Sequence, residues 1–431
     1  VNSATASSFQ SGEGIERTHD GNSSTLYHSK YSGNQDPGYF PITLTYNFRN
    51  AESMDYLVYH PRSDGGTNGN IQEFDLYVAT ESSPNLTQHG SYNFHGSTST
   101  SLITFEPALE KPIKIEFRIK SGTGNYVSCA EMQFYKKNPD NFDYTTLFSD
   151  MACSELRSDI TIDKIEKTSN SFFRDLALEI YKGEYEKEFR VQEYKSWQHP
   201  DIMAATNKTN PYSLLDNPTG IYTGEGDNLI VFVGNTYGQN ISLRIQDLRN
   251  GYGGQSYPLM PGMNKFSSVK RGLIYVMYHT QTGKEKPIKI NIATGNVNGY
   301  FDSRKHTKDD WTRLLNKAEY AEFDVLGEYA HLTYPTANFR SNTPDGLALI
   351  KKYDELVYLE QEFMGLFEYN KKFNNRMYFH IDYRDVWMYA SAYHTGYAQA
   401  TIDMLCNVNK FTAEIWGPAH EVGHVNQTAG F

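Results

Sequence analysis

The chain has 431 residues and only three cysteines, Cys129, Cys153 and Cys406. They are widely separated and odd in number, so they provide neither a disulfide framework nor a CxxC metal pair. No run of eighteen apolar residues occurs, which excludes a transmembrane helix of ordinary kind. Runs of lysine and arginine are also missing, and the net charge is -11. A general nucleic-acid binder would show a basic face, so that class is set aside. Tryptophan is scarce, at 4 residues against 33 tyrosines. Tyrosine pairs an apolar body with a polar tip and serves both β-sheet packing and wet binding surfaces such as those that meet sugars. The glycine-rich stretch Gly251-Tyr252-Gly253-Gly254 lacks the Lys and Ser or Thr of a phosphate loop and reads as a flexible turn. The first residues, Val1-Asn2-Ser3-Ala4, are polar and carry no Met, as expected of a mature or engineered fragment.

What is present falls into four stretches. Residues 1–138 read as an antiparallel β-sandwich: runs such as Ile42–Tyr46, Phe74–Val78 and Ile113–Ile119 alternate apolar and polar residues between Gly, Asn, Ser and Pro turns. Lys136-Lys137-Asn138-Pro139-Asp140 marks a linker, and 139–216 reads as a helical linker region with helix from Thr146 to Lys182. Residues 217–300 form a second, smaller β-rich domain containing the apolar run Leu229–Val233. Residues 301–431 read as α+β, with helices over Trp311–Ala321 and Thr343–Tyr369, a strand over Met377–Tyr383 and a final helix.

That last helix carries the chemistry: Trp416-Gly417-Pro418-Ala419-His420-Glu421-Val422-Gly423-His424. Residues four apart stack on one helix face, so His420 and His424 can aim imidazole nitrogens at one metal ion. Glu421 lies about 100° round, set aside from the ligands but within reach of a water on that metal. Composition alone would place an HExxH in about two of a hundred such chains. The bland reading is an amphipathic helix with two half-buried histidines. The order helix, strand, HExxH helix weighs against it, because a zincin runs an edge strand past its active-site helix to hold peptide by β-augmentation. Zinc suits two imidazoles with an open position.

The residues also resemble known families. His19-Asp20-Gly21-Asn22-Ser23-Ser24-Thr25-Leu26-Tyr27-His28, Tyr59-His60-Pro61-Arg62, the strand Phe74–Val78 and Cys129-Ala130-Glu131-Met132-Gln133-Phe134 resemble a discoidin, or coagulation-factor type C, domain: a galactose-binding-like jelly roll. That resemblance implies a structural calcium at Asp20, Thr25 and Glu131, for which a plain Asx turn is the alternative, and glycan contacts from His60, Arg62 and Asn70. From Thr146 onward, Trp416-Gly417-Pro418 before the HExxH and Asn426-Gln427 after it resemble the enhancin-like, mucin-degrading gluzincin peptidases. The resemblance implies a secreted or surface-attached bacterial zinc endopeptidase, acting as a monomer, that cleaves O-glycosylated, mucin-like proteins with Glu421 as general base. Substrate would meet Tyr393, His394, Tyr397 and Trp416, with Tyr393 or His394 stabilising the oxyanion, for which core or surface packing is the favoured alternative; Gln427 would support the site or merely pack. Gluzincins take a third zinc ligand from a downstream Glu, and none occurs between His424 and Phe431, so that ligand is expected downstream of Phe431. The expectation is therefore a catalytic region truncated at its C-terminus that binds zinc weakly and cleaves poorly. The alternative is a non-catalytic glycan-binding adhesin whose histidine helix is a relic.

Overall fold

The computed structural model describes residues 1–33, 36, 38–136 and 142–427. Four residues of the expected linker, Lys137 to Asp140, lie outside them. So does Phe431, the residue beyond which the third zinc ligand is expected. The chain divides into two compact units, 1–141 and 142–431.

The first unit is a sandwich, as its alternation demands. A five-stranded antiparallel sheet runs in the order Ser3–Ala6, Ile42–Asn47, Pro112–Ile119, Glu73–Thr80, Thr87–Asn93. A three-stranded sheet, Glu131–Tyr135, Ser53–His60, Ser101–Glu110, accompanies it. Every second residue of Ile42–Asn47 is buried, and Leu44, Tyr46, Leu57, Phe74, Leu76 and Phe117 form one core.

The second unit begins with helical pieces rather than one long helix. Thr161 and Asn170 each cap a fresh N-terminus, so the stretch expected as helix from Thr146 to Lys182 breaks into Ile162–Glu166 and Ser171–Lys182. A second sandwich follows. One sheet runs Gly253–Leu259, Ile241–Asp247, Gly272–Met277, Pro218–Thr223, Asn296–Val297; the other runs Val191–Tyr194, Ile288–Ile292, Asn228–Val233, Gly262–Ser267. Val191–Tyr194 therefore belongs to this sandwich, although its short length hid it among helices.

The last layer is a six-stranded mixed sheet: Phe301–Asp302, Glu322–Leu326, Ala330–Pro335, Met377–Asp382, His394–Ala398, Met388–Ser391. Helix Gly346–Phe363, capped by the Asp345 side chain, crosses between the parallel strands Ala330–Pro335 and Met377–Asp382. All six residues of Met377–Asp382 are buried, so this strand lies inside the sheet and the edge belongs to Met388–Ser391. Helix Trp416–Asn426 lies against that edge strand, against His394–Ala398 and against helix Gly346–Phe363. A glycine allows this approach: a Cβ on Gly417 would stand 2.9 Å from Met388 Sδ. Among the described residues no helix is long and apolar enough to cross a membrane.

Candidate active site

Helix Trp416–Asn426 sorts its residues by face. Glu421, Val422, Val425 and Asn426 are buried, while His420, Gly423 and His424 are exposed. Its C-terminal end is held by the neighbouring loop: the Asn210 backbone N–H donates to the Val425 carbonyl at 2.9 Å, and its side chain to the His424 carbonyl at 3.4 Å.

The two imidazoles converge as the spacing requires, with Nε2 of His420 and Nε2 of His424 3.0 Å apart. Two imidazole nitrogens on one tetrahedral zinc stand about 3.4 Å apart, so the pair fits such an ion with a small spread. No other ligand joins them: among the described residues no group of three or more His, Cys, Asp or Glu is placed to hold a metal. The third ligand expected downstream of Phe431 falls outside those residues, so the site described consists of the two imidazoles and Glu421. Trp416, 74% exposed, stacks on His420 with centroids 4.8 Å apart. Glu421 is 8% exposed, and burial raises its carboxyl above the ordinary range, against the opposing pull of the histidines on either side.

The histidines open on an apolar cleft of about 570 Å³ between this helix and Gly346–Phe363, where Leu356, Leu359, Phe363 and Met364 face Ala419 and Gly423. At its edge the Asn426 amide donates to Glu360 at 2.9 Å, and Tyr212 OH donates to Asn426 at 2.9 Å. Burial lifts the Glu360 carboxyl to about 7, with the Asn426 bond pulling the other way. A folded-state pKa above the unfolded one means that the chain is most stable with Glu360 protonated. That stability is full below about pH 4.5 and fades as pH rises through 7. Glu360→Gln should therefore gain on the parent as pH rises, by about 3 kcal/mol at pH 8. Urea denaturation of both proteins from pH 5 to 8 checks this, and a constant difference would refute it.

The residues expected to meet substrate separate. Trp416 is exposed beside His420. Tyr393 caps the hairpin turn with φ +74° and donates its hydroxyl to Asp201 at 2.9 Å. His394 is buried, 2.9 Å from His380 and stacked on Tyr252 at 4.0 Å, so the turn expected to be flexible wedges the second sandwich against this sheet. Burial takes His380 down to about 4. Tyr397 is fully buried among Phe379 and Tyr334. Sequence reasoning passed over Trp387, which is 66% exposed and adjoins Met388 at the Gly417 contact. Its isolation in an aromatic stretch was the available signal.

In the first unit, Asp20, Thr25 and Glu131 do come together. Thr25 OH donates to Asp20 at 2.8 Å, and the Asn22 N–H lies 2.8 Å from Asp20 and 3.0 Å from Glu131. Burial, then the bond to Asp20, lifts Glu131 to about 7. His60 and Asn70 serve the fold: His60 bonds Gln133 at 2.9 Å, and the buried Asn70 amide donates to the Ser97 carbonyl at 3.1 Å. Arg62 forks onto Asp64 at 2.7 and 2.6 Å. Near that pair, and missed in the sequence, Tyr31 and Tyr126 pack on His28 with centroids 4.7 and 5.2 Å away, and Tyr31 OH donates to Glu13 at 2.7 Å.

Residues 297–431 match the family described as Peptidase M60, enhancin and enhancin-like, and residues 3–132 match the F5/8 type C domain. A metallopeptidase from Bacteroides thetaiotaomicron is 30% identical, with a TM-score of 0.62, over 68% of this chain and 53% of its own. A metallopeptidase solved in complex with Tn antigen is 34% identical, with a TM-score of 0.54, over 57% of this chain and 48% of its own. The CBM32-1, CBM32-2 and M60 catalytic domains of Clostridium perfringens ZmpB share the fold over 99% of this chain and 48% of theirs, at 18% identity and a TM-score of 0.56. Galactose oxidase of Gibberella zeae is 25% identical over 132 residues, 31% of this chain and 19% of its own. The chain spans about half the length of these solved relatives. It joins an F5/8 type C domain, of discoidin fold, to a domain of the Peptidase M60, enhancin-like family.

Proposed function

We infer that the protein is a secreted bacterial zinc endopeptidase that cuts O-glycosylated, mucin-like proteins. The observation that carries this reading is the convergence of His420 and His424 Nε2 beside a half-exposed edge strand. His420 and His424 would hold zinc, which supplies Lewis acidity toward a peptide carbonyl and acidifies a water molecule. Glu421, buried on the flank of the pair, would act as general base, taking a proton from water and returning it to the leaving amine. The free edge of Met388–Ser391 accepts an extended peptide by main-chain hydrogen bonds. Trp387 and Trp416 offer exposed aromatic faces beside it for the apolar face of a sugar. That a solved relative is in complex with Tn antigen supports a glycan as part of the substrate.

The first unit would bind glycan through Arg62, Tyr31 and Tyr126, and calcium at Asp20, Thr25 and Glu131. A thermal shift on adding calcium, reversed by chelator, tests the ion.

Cleavage of one peptide with and without an O-linked GalNAc tests the main reading. We expect cleavage of the glycosylated form alone; equal cutting of both would remove the glycan from the proposal. Glycan binding without any cleavage by the natural polypeptide would favour the adhesin instead.

A further inference from the structure

The two metal-facing imidazoles are not held alike. His420 lies under the Trp416 indole, an apolar cover that leaves its proton placement open. His424 has a polar neighbour: its Nδ1 lies 3.3 Å from Oε1 of Gln427, one helical turn further on. At Gln427 the backbone leaves helical geometry, with φ -62° and ψ 132°, and the side chain is set beside His424. An amide oxygen only accepts, so this contact requires a hydrogen on His424 Nδ1 and leaves the lone pair on Nε2. The 3.0 Å contact between the two Nε2 atoms then has His420 as its donor.

We propose that Gln427 is a positioning residue that fixes His424 in the tautomer able to ligate metal, making His424 the pre-set member of the pair. His420 reaches the same state only by releasing its Nε2 proton or moving it to Nδ1. The role rests on the metal-site reading given above, but its first readout needs no metal.

In this chain with 15N-labelled histidine, long-range proton–nitrogen correlation should show His424 protonated at Nδ1. Gln427→Ala should mix the tautomers, and Gln427→Glu, which keeps an acceptor, should restore Nδ1–H. Titration with zinc chloride should show affinity falling about 10- to 100-fold in Gln427→Ala and recovering in Gln427→Glu. A merely structural role would move neither the tautomer nor its rescue. His424 protonated at Nε2 in the parent, or a Gln427→Ala protein with unchanged tautomer, overturns the proposal. Unchanged zinc affinity in Gln427→Ala beside a large loss in His420→Ala sinks the Gln427 role alone. Unchanged affinity in His420→Ala sinks the metal site beneath it.

Discussion

Glu421→Gln in the natural polypeptide should lower kcat on an O-glycopeptide by about 10²- to 10⁴-fold while zinc content and KM stay close to the parent's. Glutamine keeps the shape of a side chain that is 8% exposed and packed beside the strand His394–Ala398, so the fold has little reason to change. What disappears is the proton acceptor. The amide cannot take a proton from water at any working pH, and no other carboxylate joins the histidine pair among the described residues. The variant should melt no lower than the parent, because burial disfavours the charged carboxylate it replaces, and this separates loss of chemistry from loss of structure. Equal cleavage by both would remove Glu421 from the role of base.

The second large effect is on stability. Asp216→Ala should destabilise the second unit by about 3 to 5 kcal/mol, because it strands the Arg376 guanidinium in the interior without its counter-charge. Both side chains are fully buried, 3.5 Å apart. Asp216 accepts from the Arg376 backbone N–H at 2.9 Å and from the Asn375 amide at 3.0 Å, while Arg376 Nε donates to the Gly327 carbonyl at 2.7 Å. Burial raises the Asp216 carboxyl and lowers the guanidinium, and each charge opposes that shift in the other. Asp216→Asn keeps an acceptor and should cost less than Asp216→Ala. Equal losses in urea denaturation would show that the hydrogen bonds contribute nothing beyond the charge pairing.

The convergence of His420 and His424 was legible in the sequence because two histidines four apart share a face whatever surrounds them, and the sandwich was legible because one face of each strand is buried. Other features were not legible, for a common reason. In Met377–Asp382, His380 and Asp382 alternate with apolar residues as if they faced water. Both are buried, satisfied by His394 and the Ile381 carbonyl, and by Arg384 and Tyr389. Asn70 read as a loop residue free to touch sugar, yet backbone carbonyls 26 and 27 residues away use its amide. A polar side chain paired inside looks, in sequence, like one that faces solvent. Tyr31 and Tyr126 escaped notice for the opposite reason: only the fold brings their rings onto His28.

The stack of Tyr252 on His394 and the pairing of Asp216 with Arg376 bear on where this protein can be cut. The second sandwich and the six-stranded sheet share one apolar interior, in which Ile221, Leu243 and Ile290 are continuous with Phe323, Phe379 and Val422. The family match starts at residue 297, inside that shared interior. Expression from there would bare a sheet face and orphan Arg376, so the smallest piece able to unfold and refold as one cooperative body starts near Phe142.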